Sequence, residues 1–513
     1  MTVTCVLNLG LKSMRAAAFD GTGRRLGIAY RPIATRLGEG MVEQDPEEWW
    51  QAALETLDEL DGSVDLGETV ERITVTASAG CLVPLDAAGE PVRPAIMISD
   101  VRARDHAVRI AEHEAYGRLT RASARVTPDL MVPKIAWLRD EEPRAHAKAR
   151  WLASPNDFLV QRLTGEVVTD TATASKFWFD PAGDGTYPEP LADLGVDIER
   201  LPPVASGAAA MLPVRRELRE RYGLRESARV VLSTYDALCA VYGSGVAKVG
   251  EACDVSGTVT SFRVVTERSA RDPNGRVFLT PHLAPGRYLA GGSNNLSGGV
   301  VEWARQVLYR DEPEPYRILA EEAAATPAGA GGLLFLPYLL GERAPVWDSA
   351  ARGVFFGLGR SHGRGDMIRA VIEGLGYGVL DIADRLAAMD VGVDSVAASG
   401  GVARIGIVSQ VKSDMLGVPY VLNEELESTA LGAAVVAGVH AGEWSSIEEA
   451  IAATVRRSGQ VEPNPARTAM YRDFFGLYRD LYGRLADLFV RREGLLAEHA
   501  EVLRSELEQR ENL

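Results

Sequence analysis

Residues 4 to 20 read TCVLNLGLKSMRAAAFD: a short apolar run, a small turn with one glycine, a second apolar run and a turn at Asp20-Gly21. Short apolar runs bounded by turn residues predict two strands joined as a hairpin. Further β-branched runs at Arg72–Ala77 and Arg229–Leu232 predict strands, and Pro46–Leu60 and Arg102–Arg118 predict helices. Strands alternating with helices imply an α/β architecture. After a small-residue segment around Gly243–Gly250 the opening plan returns, with ACDVSGTVTSFRVV echoing VLNLGLKSMRAAAF. The faint repeat predicts two related domains facing one cleft. Beyond Gly442, Ile447–Thr454 and Tyr471–Leu488 read as helices. The tail sets Leu495, Leu496, His499, Val502, Leu503 and Leu507 near one helical stripe, to fray, dock or pair. The division expected is 1–246, 247–445 and a C-terminal helical extension at 446–513.

Length supports that division, since 513 residues exceed what one core accommodates. A hydrophobic content of 46% with 25% charged residues is ordinary for a soluble globular chain. The net charge of −16 argues against nucleic acid or an anionic membrane as partner. An anionic ligand would therefore need local positive potential, from amides, helix ends, Lys or Arg, or a metal. Cys5, Cys81, Cys239 and Cys253 show no metal-ligand spacing and sit in apolar surroundings, so buried free thiols are expected. No basic segment followed by an apolar run opens the chain, and no run reaches membrane-spanning length; the expected location is cytoplasmic.

A strand that stops at a glycine-bearing turn brings backbone amides close to a phosphate. Such a site also wants a cation and a carboxylate to hold it. Here the strand ends with Asn8, a neutral amide, and Lys12 follows four positions on. Asp236 comes after the run Val230–Leu232 and before a small-residue helix, at a strand's C-terminal end where α/β sites cluster. A helix N-cap is its other reading. Gly257-Thr258 offers a bare backbone and a hydroxyl, and a tight hairpin turn accounts for it equally well. Gly400-Gly401, between an apolar run and a helix, suits close backbone approach to a ligand.

The segment GVFFGLGRSHGRGDMIRAVIEG at 353–374, with YLLGERAPVWD upstream, resembles the C-terminal signature of the FGGY family of carbohydrate kinases. The match lies at Gly353, Phe355, Gly357, Leu358, Asp366, Met367, Ala370, Val371, Ile372 and Glu373. VEQDPEEWW, PAIMISDVRA, VPKIAW, SPNDFLVQRLTGE, GTVTS, ASGGVAR and ESTALGAA are similar to family segments in family order, from about residue 4 to about residue 440. The resemblance implies two actin-like, ribonuclease-H-like domains facing a central cleft. It implies transfer of a phosphoryl group from ATP, with Mg²⁺, to a hydroxyl of a small sugar, ketose or polyol. On that reading residues 1–246 hold the sugar side, the first phosphate loop and the base, and 247–445 hold the nucleotide side.

Carried over residue by residue, Asp236 becomes the catalytic base and a substrate contact. Gly10, Lys12, Gly257, Thr258, Gly400 and Gly401 become nucleotide contacts. Ser78, Asp100 and Arg102 become substrate contacts, with an ion pair as the other reading of Asp100 and Arg102. Thr169, Asp170 and Ser175 resemble the substrate-side loop, or else cap and turn the chain. Gly432 suits helix packing. Two departures stand out. The family's Asp-x-Gly-Thr is Asn8-Leu9-Gly10-Leu11 here, so any metal contact from Asn8 runs through water. Xylulokinase-like members carry Gln-Met-His-Gly where this chain has Ser78-Ala79-Gly80-Cys81, small side chains that imply an atypical sugar or cyclitol-like polyol, or lost substrate binding. A catalytically impaired homologue that binds nucleotide or sugar as a regulator is the alternative, and an actin-like assembly protein ranks behind it. A homodimer stays open.

Overall fold

The structure, a computed structural model, describes residues 2–119, 126–180, 185–269, 272, 274–500 and 502. Leu503 and Leu507 of the tail stripe lie outside the described residues. The opening hairpin forms as read: strand Val3–Leu9 pairs antiparallel with Ser13–Asp20, which pairs antiparallel with Arg25–Pro32. On its other side Val3–Leu9 runs parallel to Val70–Ala77, which runs parallel to Arg229–Val231. Met211–Pro213 adds an antiparallel edge. The three central strands are buried on both faces, as strands covered by helices must be.

The second sheet repeats the plan. Glu251–Ser256 pairs antiparallel with Thr260–Thr266, and that with Tyr288–Ser293. Glu251–Ser256 also runs parallel to Ser395–Ser399, and that to Tyr420–Asn423. Phe278–Pro281 and Arg457–Val461 add the outer edges. The faint sequence repeat is thus a repeat of topology.

Local chemistry sets the elements. Helix Pro46–Val64 starts where Asp45 accepts the Glu47 amide, carries Pro46 at its first position and Glu47 and Glu48 in its first turn, and buries Trp49, Ala53, Leu57 and Leu60. Burying each large apolar side chain contributes roughly 1.5–3 kcal/mol. The helix expected over Arg102–Arg118 is broken: Arg104–Glu112 ends at the extended backbone of His113, and Glu114–Arg118 begins anew with the His113 ring as its cap.

Helix Asp236–Gly243 crosses helix Ser428–His440 with backbones nearly touching. A Cβ on Gly432 would lie 1.7 Å from the Cys239 carbonyl oxygen, and one on Gly243 would lie 1.8 Å from that of Ser428. Only glycine fits there, so Gly432 does serve helix packing, and it clamps the helix that begins with Asp236. Around the crossing a shared core joins Val6, Phe19, Tyr235, Leu238, Cys253 and Val265 from both sheets.

Past residue 446 the helix Ile447–Thr454 forms as read, but the next segment is the edge strand Arg457–Val461. Helix Pro465–Glu498 is longer than the stretch expected and docks through Tyr471, Phe475, Tyr478, Leu481 and Phe489. Its Tyr471 hydroxyl donates to Glu373 at 2.7 Å, inside the signature helix Arg364–Ala387. Leu495 and Leu496 stay exposed. All four cysteines are free and buried.

Candidate active site

Asp236 stands where the strand Arg229–Val231 gives way to helix. The passage is stitched to the neighbouring strand: Ser233 donates to the Val75 carbonyl at 2.6 Å, and Thr76 donates to the Thr234 carbonyl at 2.8 Å. Tyr235, not Asp236, occupies the cap position, and its side chain makes no cap bond. Asp236 is the first helical residue, half-buried, and its Oδ1 accepts the Ala237 amide at 2.7 Å. Oδ2 has no hydrogen-bond partner among the described residues. Burial pushes the carboxyl up to about 6, against the Ala237 amide and the positive charges of Arg263 and Lys176, which pull it down.

The segment at 78–81 reaches the same neighbourhood, since Ala79 packs with Ala237 against the core that holds Tyr235 and Leu238. Ser78 is half-buried. Gly80 turns with φ +79°, and its carbonyl accepts from the fully buried Lys134, which also donates to the Asp129 carbonyl at 3.2 Å. Asp100 and Arg102 form the ion pair: Arg102 reaches Asp100 at 2.9 Å and Glu43 at 2.8 Å, with its guanidinium 4.5 Å over the Trp137 ring. The Asp100 oxygens also accept the Val42 and Arg102 amides. Asp170 caps helix Thr171–Ala174 by accepting the amides of Ala172 and Thr173 at 2.9 and 3.0 Å, and Ser175 donates to the Ala172 carbonyl.

Two hairpin turns head the two sheets. In the first, Asn8 is buried in its strand, and the Gly10 amide donates to the Ser13 carbonyl at 2.9 Å. Gln44 donates to the Leu11 carbonyl at 2.7 Å, while Leu11 and Lys12 are exposed. In the second, Gly257 and Thr258 accept at their carbonyls from the Gly298 and Ser297 amides, both at 2.8 Å, and Thr258 is exposed. Gly400, at φ +86°, packs where a Cβ would meet the Ser256 carbonyl oxygen at 2.5 Å. A Cβ on Gly401 would meet nothing within 4 Å, and one on Gly257 only the Val259 carbonyl oxygen at 4.0 Å.

These open glycine faces fit a nucleotide: bare backbone turned to free space is what a phosphate or nucleoside approaches. For a metal the fit is narrower. Among the described residues no three His, Cys, Asp or Glu side chains gather to hold an ion. An ion carried in on nucleotide phosphates would need no such cluster from the protein.

Comparison with known proteins identifies the family. The N-terminal domain of the FGGY family of carbohydrate kinases matches residues 3–243, and its C-terminal domain matches 254–441. The chain belongs to the FGGY family of carbohydrate kinases. It is 26% identical to the xylulose kinase of Bacillus subtilis (strain 168) over 443 residues, covering 85% of this chain and 88% of that one. With the gluconokinase of the same organism the identity is 28% over 472 residues, covering 88% and 91%. The structure of ligand-bound xylulose kinase from Lactobacillus acidophilus superposes with a TM-score of 0.88 at 27% identity, over 96% of this chain and all 100% of that one. As an FGGY kinase the chain is an enzyme of phosphoryl transfer.

Sequence reasoning passed over three cations of this kinase. Lys176 sits half-buried with its ammonium 4.6 Å over the Tyr235 ring. Arg263 lies buried in strand Thr260–Thr266, and Lys134 holds the 78–81 turn. One signal was available: Arg263 is the one charge in a strand of apolar and small hydroxyl residues, and a lone charge in a buried strand needs a reason.

Proposed function

We propose that this FGGY kinase transfers the γ-phosphoryl group of ATP to a hydroxyl of a small sugar, ketose or polyol, cyclitols included, with Asp236 as general base. The observation that carries the reading is Asp236 itself: a half-buried carboxylate at a strand end with one oxygen free and its pKa raised to about 6. A base poised near neutrality ionises easily yet still accepts a proton in the transition state. The acceptor hydroxyl gives its proton to Oδ2 as its oxygen bonds to the γ-phosphorus. The bond from that phosphorus to the β–γ bridging oxygen breaks, and ADP leaves.

Gly257, Thr258, Gly400 and Gly401 would cradle the nucleotide, with Gly10 and Lys12 facing its phosphates from the other sheet. Mg²⁺ bound with the nucleotide would neutralise phosphate charge, and Asn8 would meet it only through water. Ser78 and the small side chains around it leave room for the acceptor. Asp100 and Arg102, tied to Glu43 and to each other, would act on the acceptor chiefly by holding the adjoining loop. In this reading residues 1–246 serve the acceptor, 247–445 serve ATP, the extension from 446 braces the second unit through helix Pro465–Glu498, and the enzyme works in the cytoplasm.

The test is Asp236→Asn, assayed for ADP release with ketoses, polyols, cyclitols and sugar acids as acceptors. Loss of a positioned base lowers turnover by ~10²–10⁴ while ATP affinity stays nearly unchanged. Wild-type turnover in the variant would sink the assignment.

A further inference from the structure

The strands Val3–Leu9, Val70–Ala77 and Arg229–Val231 run parallel and adjacent, with Val70–Ala77 in the middle. Their carboxyl ends therefore open side by side. The outer two lead to the Gly10 turn and to Asp236, and the middle one leads to residues 78–81. Neighbouring strands lie about 4.8 Å apart, so the 78–81 turn stands near both. Hydrogen bonds anchor it at each end. The Ser78 amide donates to the Leu9 carbonyl at 3.3 Å, and the Leu82 amide donates to the Ile96 carbonyl at 2.9 Å. Between these anchors the amides of Ala79, Gly80 and Cys81 have no hydrogen-bond partner among the described residues. Gly80 and Cys81 are buried.

Buried backbone N–H groups are almost always paired, and an orphan is costly. Successive free donors in a turn form a concavity for an electron-rich oxygen. The turn is held from behind. Lys134, fully buried and in no ion pair among the described residues, donates to the Gly80 carbonyl and to the Asp129 carbonyl. In a trans peptide the N–H points opposite to the C=O, so the Cys81 amide points away from the ammonium. We infer that the amides of Ala79, Gly80 and Cys81 hold a hydroxyl oxygen of the acceptor beside Asp236, with Lys134 as the positioning residue behind them. The inference rests on the kinase reading above and deepens it. A hydroxyl seated on donors alone gives them its lone pairs and turns its own proton outward, toward Asp236. The small side chains of this turn are then what lets the acceptor reach the backbone.

A phosphoryl oxygen of the nucleotide has the same chemistry. Position speaks for the acceptor: the glycines assigned to the phosphates head the two hairpins, whereas this turn leaves a strand between the Gly10 turn and Asp236.

The experiment makes the full chain by cell-free translation with glycolate in place of Gly80. The Ala79–Gly80 amide becomes an ester, which deletes one N–H that bonds nothing within the protein and leaves every side chain in place. Turnover is read by ADP release with ATP and xylulose, gluconate, xylitol or glycerol, and binding by the shift each acceptor gives the melting temperature. The ester should lower kcat/KM for the acceptor turned over by about three- to tenfold, with the Kd for ATP and the melting temperature of the free protein unchanged. Lys134→Met should lower the same kcat/KM by about ten- to a hundredfold at unchanged ATP affinity, and Lys134→Arg should recover part. Ester and Lys134→Met together should lose less than the product of the two, because both act on one contact. Should Lys134→Met fail to fold, the ester alone decides. An ester protein with wild-type kcat/KM overturns the inference while turnover keeps the kinase reading. A loss shared by ATP affinity and acceptor-free ATP hydrolysis overturns it in favour of a phosphoryl contact. Turnover with none of the acceptors sinks the kinase reading, and binding then decides: an acceptor shift weakened by the ester upholds the inference, and an unaltered or absent shift overturns it.

Discussion

The hairpin turns at Gly10 and Gly257 occupy equivalent places in two sheets of one topology, yet they are supported by different means. Behind the second turn lies a buried charge network: Lys412 reaches Asp254 at 2.7 Å and the Ser256 hydroxyl at 2.8 Å, and Ser256 also bonds Asp254 at 2.6 Å. Tyr420 closes it from the neighbouring strand at 3.3 Å. The first turn has no such network among the described residues; neutral hydrogen bonds from Gln44 and Ile33 to the carbonyls of Leu11 and Lys12 pin it, and Lys12 is exposed. The second turn is therefore fixed before any ligand arrives. The first can change its charge at small cost to the fold, and Asn8 with Lys12 is the sort of variation that freedom permits.

The comparison breaks most visibly at Lys412. Lys412→Met leaves Asp254 buried and unpaired and should destabilise the protein by about 3–5 kcal/mol, read by urea denaturation. Adding Asp254→Leu should recover much of the loss, whereas Lys12→Ala should change stability by no more than about 0.5 kcal/mol. A cost at Lys12 equal to that at Lys412 would erase the distinction.

Next come the glycines. Gly400→Ala forces a side chain at φ +86° against the Ser256 carbonyl, a strain of about 1–3 kcal/mol, and should weaken ATP binding with little change in acceptor KM. Gly10→Ala, whose nearest neighbour would be the Ser13 carbonyl oxygen at 3.7 Å, should fold normally. Nucleotide titrations and melting curves on both variants decide the matter.

The pH profile sharpens the role of Asp236. Its carboxyl titrates near 6 and the base form is the ionised one, so kcat/KM should fall about tenfold per pH unit below 6. The stability sign is opposite. A carboxyl raised by burial adds stability at low pH that is lost as pH rises through about 6, so Asp236→Asn should melt higher than wild type at neutral pH. A flat rate profile between pH 5 and 7 would remove the base.

The smallest effects belong to the first turn. Asn8→Asp should tighten the apparent Mg²⁺ requirement, and Lys12→Ala should weaken ATP binding or turnover by less than tenfold, since an exposed charge contributes only about 0–1 kcal/mol. A Mg²⁺ titration on both reads this out. Activity appearing only in Asn8→Asp, in a wild type silent with every acceptor, would favour an impaired homologue.

Much of this was legible in the chain because it is written locally. The apolar runs and glycine turns predict the two hairpins, and the parallel partners of both follow from runs such as Arg72–Ala77. Asp236 stood out by its place after a strand, although its freedom from capping was visible only in the fold. Arg457–Val461 was missed because an exposed edge strand carries no apolar alternation, only RSGQV. The helix over Arg102–Arg118 was drawn too long because its break at His113 has no Gly or Pro to announce it.

By itself, then, the sequence determined the α/β class, the duplicated plan, the family motifs in their order and the carboxylate set among them. These depend on spacing and residue type, which neighbouring positions carry. The tertiary structure alone decided which charges are spent and which are free. Asp100 and Arg102 look like ligands in the sequence but are already joined to Glu43, while Arg263 looks like a stray charge in a strand and proves unpartnered. Whether a charge is satisfied depends on groups distant in the chain that only packing brings within reach, and on the loss of water that burial imposes.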